Sequence, residues 1–193
     1  MSNLLRPALS LLLMLTVVSG VLYPLAVTGV AQAIFPNQAN GSLIERDGKA
    51  IGSELIGQLF TDPKYFWSRP SATAPFADNS ASSGGSNQGP TNQALTDTVK
   101  QRIDALHAAD PGNPAPIPTD LVTTSGSGLD PDISPAAARY QLARVARARG
   151  RGEAEIAAFI EQASAGRQFG VLGESRVNVL RLNLLLDSAA SAK

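Results

Sequence analysis

The sequence predicts an α+β protein: one N-terminal transmembrane helix over residues 1–35, followed by a single mixed α/β domain over residues 36–193. Three observations predict it. No residue between Arg6 and Glu45 carries a formal charge, and Leu9 to Val30 is apolar apart from Ser, Thr, Gly and one Tyr. A hydrocarbon core of roughly 30 Å asks for about 20 such residues at 1.5 Å each. Next, Asp47-Gly48 stands between two short apolar runs, the signal of a β-hairpin. Finally, later segments repeat apolar residues at helical spacing but show no βαβ alternation, which favours α+β over a parallel α/β fold.

The first element reads as a retained anchor. A cleaved leader has an apolar core of about 7 to 15 residues and an Ala-x-Ala site. Ala31-Gln32-Ala33 offers such a site, but the apolar run is too long for a leader. Tyr23-Pro24 interrupts the span, and proline is tolerated there where a hydroxyl or a neighbouring helix satisfies the freed carbonyl. Ser19, Gly20 and Gly29 are small enough to let a partner helix approach. Arg6 on the short leading side favours a cytoplasmic N-terminus and an extracytoplasmic domain.

Composition narrows the function classes. Lys plus Arg and Asp plus Glu each number 16, a balance that argues against nucleic acid as a partner. There is no cysteine, which removes disulfides, thiolate nucleophiles and Cys-based zinc sites. His107 is the single histidine. It cannot form a His cluster, and a Ser-His-Asp triad would have to recruit it alone.

Along the domain, Ser42–Glu45 and Ala50–Ile56 flank the hairpin turn. The stretch Gly57–Ser71 holds Phe60, Tyr65, Phe66 and Trp67, four of the ten aromatic residues, which reads as a local core because aromatics carry large burial energy. Arg69 beside them can stack on a ring or hold a carboxylate. From Ser71 to Asn92 the chain turns to Ser, Ala, Gly, Asn and Pro and reads as a plain flexible connection. Its Ser82–Asn87 run can form an anion-cradling nest, but the lysine of a P-loop is missing.

A helix capped by Thr96 follows, with Val99, Ile103 and Leu106 on one face, His107 near its end and a stop near Ala109. Asp110–Pro118 is a proline-rich connection, and Leu121–Thr123 reads as a strand. Ser134-Pro135 signals a helix start, a hydroxyl cap followed by proline at the first helical position. That helix runs through Arg149; its arginines 139, 144, 147 and 149 fall on more than one face, so it reads as solvated. Gly150–Gly152 break it, Glu153–Ala163 forms a helix with Ile156, Phe159 and Ile160 on one face, Val177–Val179 reads as a strand, and the leucine-rich remainder as a buried helix.

Many segments carry a resemblance in the right order. They include Tyr23-Pro24, Gln38–Ile44, Gly57-Gln58 with Phe60-Thr61, Tyr65-Phe66 with Arg69-Pro70-Ser71-Ala72-Thr73, and Ser83–Asn87. Leu121–Thr123, Ser127–Asp130, Ile133–Pro135, Gln141, Arg144–Ala146 and Val177–Asp187 complete them. From Arg6 to Asp187 the chain resembles the C subunits of Kdp-type potassium-transporting P-type ATPases of bacteria.

The resemblance implies a non-catalytic accessory subunit, single-pass in the bacterial inner membrane, with its domain periplasmic or extracellular. The implied partners are the channel-like potassium-binding subunit, the ATP-hydrolysing subunit and a small single-span subunit, together with membrane lipid. The family is described as a catalytic chaperone that raises the ATP affinity of the pump subunit, and a glutamine is proposed to contact nucleotide. Gln141 is the candidate here. No firmly bound cofactor, metal or catalytic residue is implied, and ATP is reached through the pump subunit. A domain outside the membrane would act on ATP affinity through conformational coupling. The candidate interface residues are Tyr23, Pro24, Arg69, Pro70, Ser71, Gly84, Gly85, Ser86, Asn87, Ser127, Gly128 and Asp130. The rival class is a membrane-anchored extracytoplasmic binding protein or hydrolase, which needs convergent polar residues in a pocket.

Overall fold

Charge-free length becomes one helical run at the N-terminus of the structure, a computed structural model that describes residues 2–191. Helix α1 (Ser2–Val17), a wider π-turn (Val18–Leu22) and α2 (Tyr23–Ile34) follow one another without a break. Leu4–Ile34 spans 31 residues and holds an 18-residue stretch with a mean hydropathy of 2.1, long and apolar enough to cross a membrane. The π-turn explains how Pro24 is housed. Proline has no N–H, and its ring clashes with the carbonyl four residues back. Here the Tyr23 N–H reaches five residues back to the Val18 carbonyl, which places Pro24 in the opening turn of α2. The Ser19 hydroxyl donates to the Leu15 carbonyl at 2.6 Å, so the small residues of this segment also serve the helix itself.

Past Ile34, Pro36 opens a short helix, α3 (Pro36–Ala39), and the carboxamides of Gln32 and Asn40 exchange hydrogen bonds at 3.1 and 3.2 Å. The hairpin forms as predicted, from β1 (Leu43–Arg46) and β2 (Lys49–Ser53). Its turn residues Asp47 and Gly48 both take positive φ, 53° and 72°, the geometry that matches strand twist and that Asp-Gly supplies. The chain divides into two compact units, Met1–Ile51 and Gly52–Lys193.

The second unit is built on helices and a small sheet. Helices α4 (Gln93–Ala109), α5 (Pro135–Arg149), α6 (Glu153–Ala163) and α7 (Val179–Ser191) are interspersed with strands β3 (Asp132–Ile133), β4 (Ser164–Ala165) and β5 (Arg176–Asn178). The strand order is β3-β5-β4, all antiparallel, with Val177 central, opposite Ile133 on one side and Ser164 on the other. Helices α5, α6 and α7 pack in sequence over it. Phe66, Val145, Ile156, Val177, Leu182 and Leu186 are fully buried among them.

Five local expectations change. Helix α4 is capped by Asn92, not Thr96: the Asn92 Oδ1 accepts the Ala94 N–H at 3.0 Å, one turn earlier than Thr96. Leu121–Thr123 is not a strand. Thr119–Leu121 forms a 3-10 turn whose Thr119 carbonyl accepts from the N–H groups of Val122 and Thr123, so no edge is left to pair. Val179 opens α7 instead of extending β5: its N–H donates to the carbonyl of Pro131, the next position of the β3–β5 register, but proline has no N–H to return and the ladder stops there. Helix α5 is not solvated: Ala137, Ala138, Tyr140, Gln141, Arg144 and Val145 are buried. The connection after Ser71 is not a plain flexible one, since its polar side chains tie it down, as described below. The Ser134 cap is as expected, its hydroxyl accepting the Ala137 N–H at 3.0 Å.

Candidate functional site

Residues 54–92 contain no strand or helix, yet Phe66 within them is the largest fully buried side chain. Two carboxamides replace the missing ladder. Asn183 on α7 accepts the Phe66 N–H (2.9 Å) and donates to the Phe66 carbonyl (3.0 Å). Gln141 on α5 does the same for Trp67, at 2.8 and 3.1 Å. Each amide thus pairs with one residue's backbone as a neighbouring strand would. Arg144 donates to the Gln141 oxygen at 2.6 Å and stacks 4.4 Å from the Trp67 ring. Burial pushes the Arg144 guanidinium down to about 10, so it stays charged near neutrality. Arg149 bonds the Asp187 carboxylate at 2.9 Å, and the Tyr65 hydroxyl donates to the other oxygen at 3.0 Å. The predicted aromatic cluster is therefore a core seam gripped by two helices. Gln141 is 1% exposed, with both ends of its amide engaged.

Most of the predicted interface residues converge on one knot between two loops. Arg69 pairs with Asp130 at 3.1 Å. The Ser71 hydroxyl donates to the Gly128 carbonyl at 2.6 Å and accepts the Asp78 and Thr73 N–H groups. The Gly84 N–H donates to the Ser127 carbonyl at 2.8 Å, and the Thr124 hydroxyl donates to Ser86 at 3.3 Å. Gly85 lies against Gly126, where an added Cβ would sit 3.1 Å from its carbonyl oxygen. Asn87 takes a positive φ of 51° on the exposed side, Pro70 lines a neighbouring recess, and Tyr23 and Pro24 belong to the first unit. Close packing of the two loops explains the absence of a side chain at Gly85 and Gly128, whereas an added Cβ at Gly84 would meet nothing within 4 Å and that residue contributes its N–H to the packing.

Two concavities flank the knot. One is an open cleft of about 730 Å³ whose charges are matched within the chain: Asp130 by Arg69, Asp132 by Arg176 at 3.0 Å, Glu174 by Arg167 at 2.7 Å, and Asp120 by the N–H and hydroxyl of Ser134. Burial raises the Asp132 carboxyl above its ordinary value, against the pull of Arg176. The other is an apolar recess of about 310 Å³ over Phe60, Trp67, Leu106 and Leu121, with Leu59 on its rim and Arg102 and Asp78 in its walls. The sequence reading missed Arg102, Asp78 and Leu59. Only the fold sets them beside the aromatic cluster.

Asp78 makes a measurable pH signature. Burial alone raises its carboxyl from 3.8 to about 6. Between those values the folded chain holds a proton that the unfolded chain has released, so stability falls as pH rises through the window and the loss persists above it. Asp78→Asn is expected to melt higher than the parent near pH 7.5, with the gap closing towards pH 4. Equal melting curves at both ends would remove the effect.

Comparison with known proteins follows the same residues. A family model described as "KdpC: K+-transporting ATPase, c chain" matches residues 5–188. The chain is 62% identical over 188 residues to the potassium-transporting ATPase KdpC subunit of Methylococcus capsulatus, covering 97% of this chain and 99% of that one. To the subunit of the same name from Dechloromonas aromatica it is 62% identical over 190 residues, covering 98% and 100%. To that of Variovorax paradoxus it is 60% identical over 193 residues, covering 100% of both. With its membrane-length helix, its mixed α/β domain and this match across nearly all its residues, the chain belongs to the KdpC family, the c chains of the K+-transporting ATPase, and has an accessory role in potassium uptake.

Proposed function

We propose that the chain is a non-catalytic subunit that assembles and stabilises the channel-like and ATP-hydrolysing subunits of the complex, and a small single-span subunit beside them. Its N-terminal helix docks among partner helices in the bacterial inner membrane, with the N-terminus cytoplasmic. Its second unit lies outside the membrane over the ion entrance. The observation that carries this reading is the family match over residues 5–188, which includes the apolar helix as well as the domain.

The chaperone role towards ATP follows by coupling. A domain on the far side of the membrane changes nucleotide affinity only by binding one conformation of the pump better than another. In that scheme Gln141 acts by holding the Phe66-Trp67 seam in shape, so its route to nucleotide runs through the complex. Full-length tagged chain is expected to co-purify with two larger membrane subunits, and a strain lacking it is expected to grow poorly at micromolar potassium. Normal growth there would sink the transport reading. A reporter fused at the C-terminus is expected to be active only outside the cytoplasm.

A further inference from the structure

Resting on the accessory-subunit reading, we infer that the apolar recess over Phe60, Trp67 and Leu106 receives a segment of another subunit of the same complex. That segment inserts an apolar side chain and sets a neighbouring carboxylate against Arg102.

The charge of the recess specifies this occupant. The Arg102 guanidinium donates to the Val122 carbonyl at 2.9 Å and meets no carboxylate among the described residues. A half-buried cation with no counter-charge is costly, and burial alone already pushes this group's pKa down. Arg69, shared between recess and knot, leaves its Nε buried without a hydrogen-bond partner. Asp78 pairs with no cation among the described residues, and a polypeptide brings main-chain N–H donors that a carboxyl can accept. The adjoining cleft makes the contrast plain, for its acids are all satisfied from within the chain.

The apolar surface points the same way. Leu59 on the rim is 68% exposed, and Phe76, next to the lining residue Ala77, is 61% exposed. Apolar area therefore continues past the cavity mouth, more than a compact small molecule would cover. An aromatic floor with arginine beside it, surrounded by apolar rim, is the composition of an interface hot spot.

The chain has no cysteine, so Leu59→Cys installs its sole thiol. Modification of that thiol by a maleimide is compared in the isolated full-length chain and in the purified complex. We expect it to be about tenfold slower in the complex, as a desolvated hot-spot recess requires. Arg102→Glu is expected to weaken retention of the other subunits about 30-fold, the size of one hot-spot loss, while Arg102→Lys retains them. Melting of each isolated variant checks that its domain folds.

Co-purification together with an unprotected thiol in the Leu59→Cys variant and a tightly held Arg102→Glu would overturn the recess inference and leave the accessory reading standing. Protection of that thiol already present in the isolated chain, and lost on dialysis, would also overturn it in favour of a small-molecule occupant. Failure of the parent chain to co-purify would overturn the accessory reading itself.

Discussion

Gln141→Ala is expected to destabilise the domain by about 3 to 4 kcal/mol, lowering its melting temperature by roughly 10 °C. The side chain is 1% exposed, and its removal strands three groups: the Trp67 N–H, the Trp67 carbonyl and one Arg144 nitrogen. Each buried group left without a partner costs about 1 to 3 kcal/mol, and the arginine more than a neutral donor. Trp67 is the only tryptophan, so its fluorescence during denaturation of the full-length chain reports directly on the seam. Gln141→Glu separates the parts. It keeps an acceptor for the Trp67 N–H and a partner for Arg144, but loses the donor to the Trp67 carbonyl, and should fall between the parent and Gln141→Ala. A glutamine whose sole role were to touch nucleotide would lose less than about 0.5 kcal/mol on truncation, as surface substitutions do. That outcome would overturn the structural assignment of Gln141.

Gly128→Ala is expected to cost about 3 kcal/mol through two separable effects. The residue sits at φ +68°, where a side chain costs about 1 to 2 kcal/mol. A Cβ there would also lie 2.6 Å from the Gly84 carbonyl oxygen and 2.7 Å from the Thr73 methyl, so the two loops would have to part. Gly173→Ala is the matched control, with φ +75° and nothing within 4 Å of its added Cβ. It should cost only the conformational share, about 1 kcal/mol. The difference between the two variants, read from chemical denaturation, measures the packing of the knot. If Gly128→Ala cost no more than Gly173→Ala, the loops would be free to separate and the knot would not hold the site together.

Some of this was legible from the order of residues alone. The membrane-length helix needs only an unbroken apolar run, and the hairpin turn needs only Asp-Gly between apolar neighbours, because both signals are local in the chain. The Ser134 cap and the stop at Gly150 are local too, and they appear where expected. The errors have a common cause. Helix α5 reads as solvated because four arginines are spread round it, yet Arg144 is buried by the Trp67 ring and the Gln141 amide, contributed from 77 and 3 residues away along the chain. Leu121–Thr123 reads as a strand on propensity, but the Thr119 carbonyl takes the N–H groups of Val122 and Thr123 in a 3-10 turn, so the segment joins no sheet. The Ser- and Gly-rich connection reads as flexible because its hydrogen-bond partners, Ser127 and Gly128, lie some 40 or more residues ahead.

The sequence by itself determined the membrane-length helix, the hairpin, the main helices and the family, since each rests on composition, on spacing within a few residues, or on landmarks in order. Tertiary structure decided what the polar residues do. A glutamine, an asparagine or an arginine has the same chemistry in any context, and whether it faces water, a ligand or another segment's backbone depends on which elements the fold brings within about 3 Å of it. That contact assigned Gln141 and Asn183 to the Phe66-Trp67 seam. The absence of a carboxylate near Arg102, among the described residues, left the recess open for a partner.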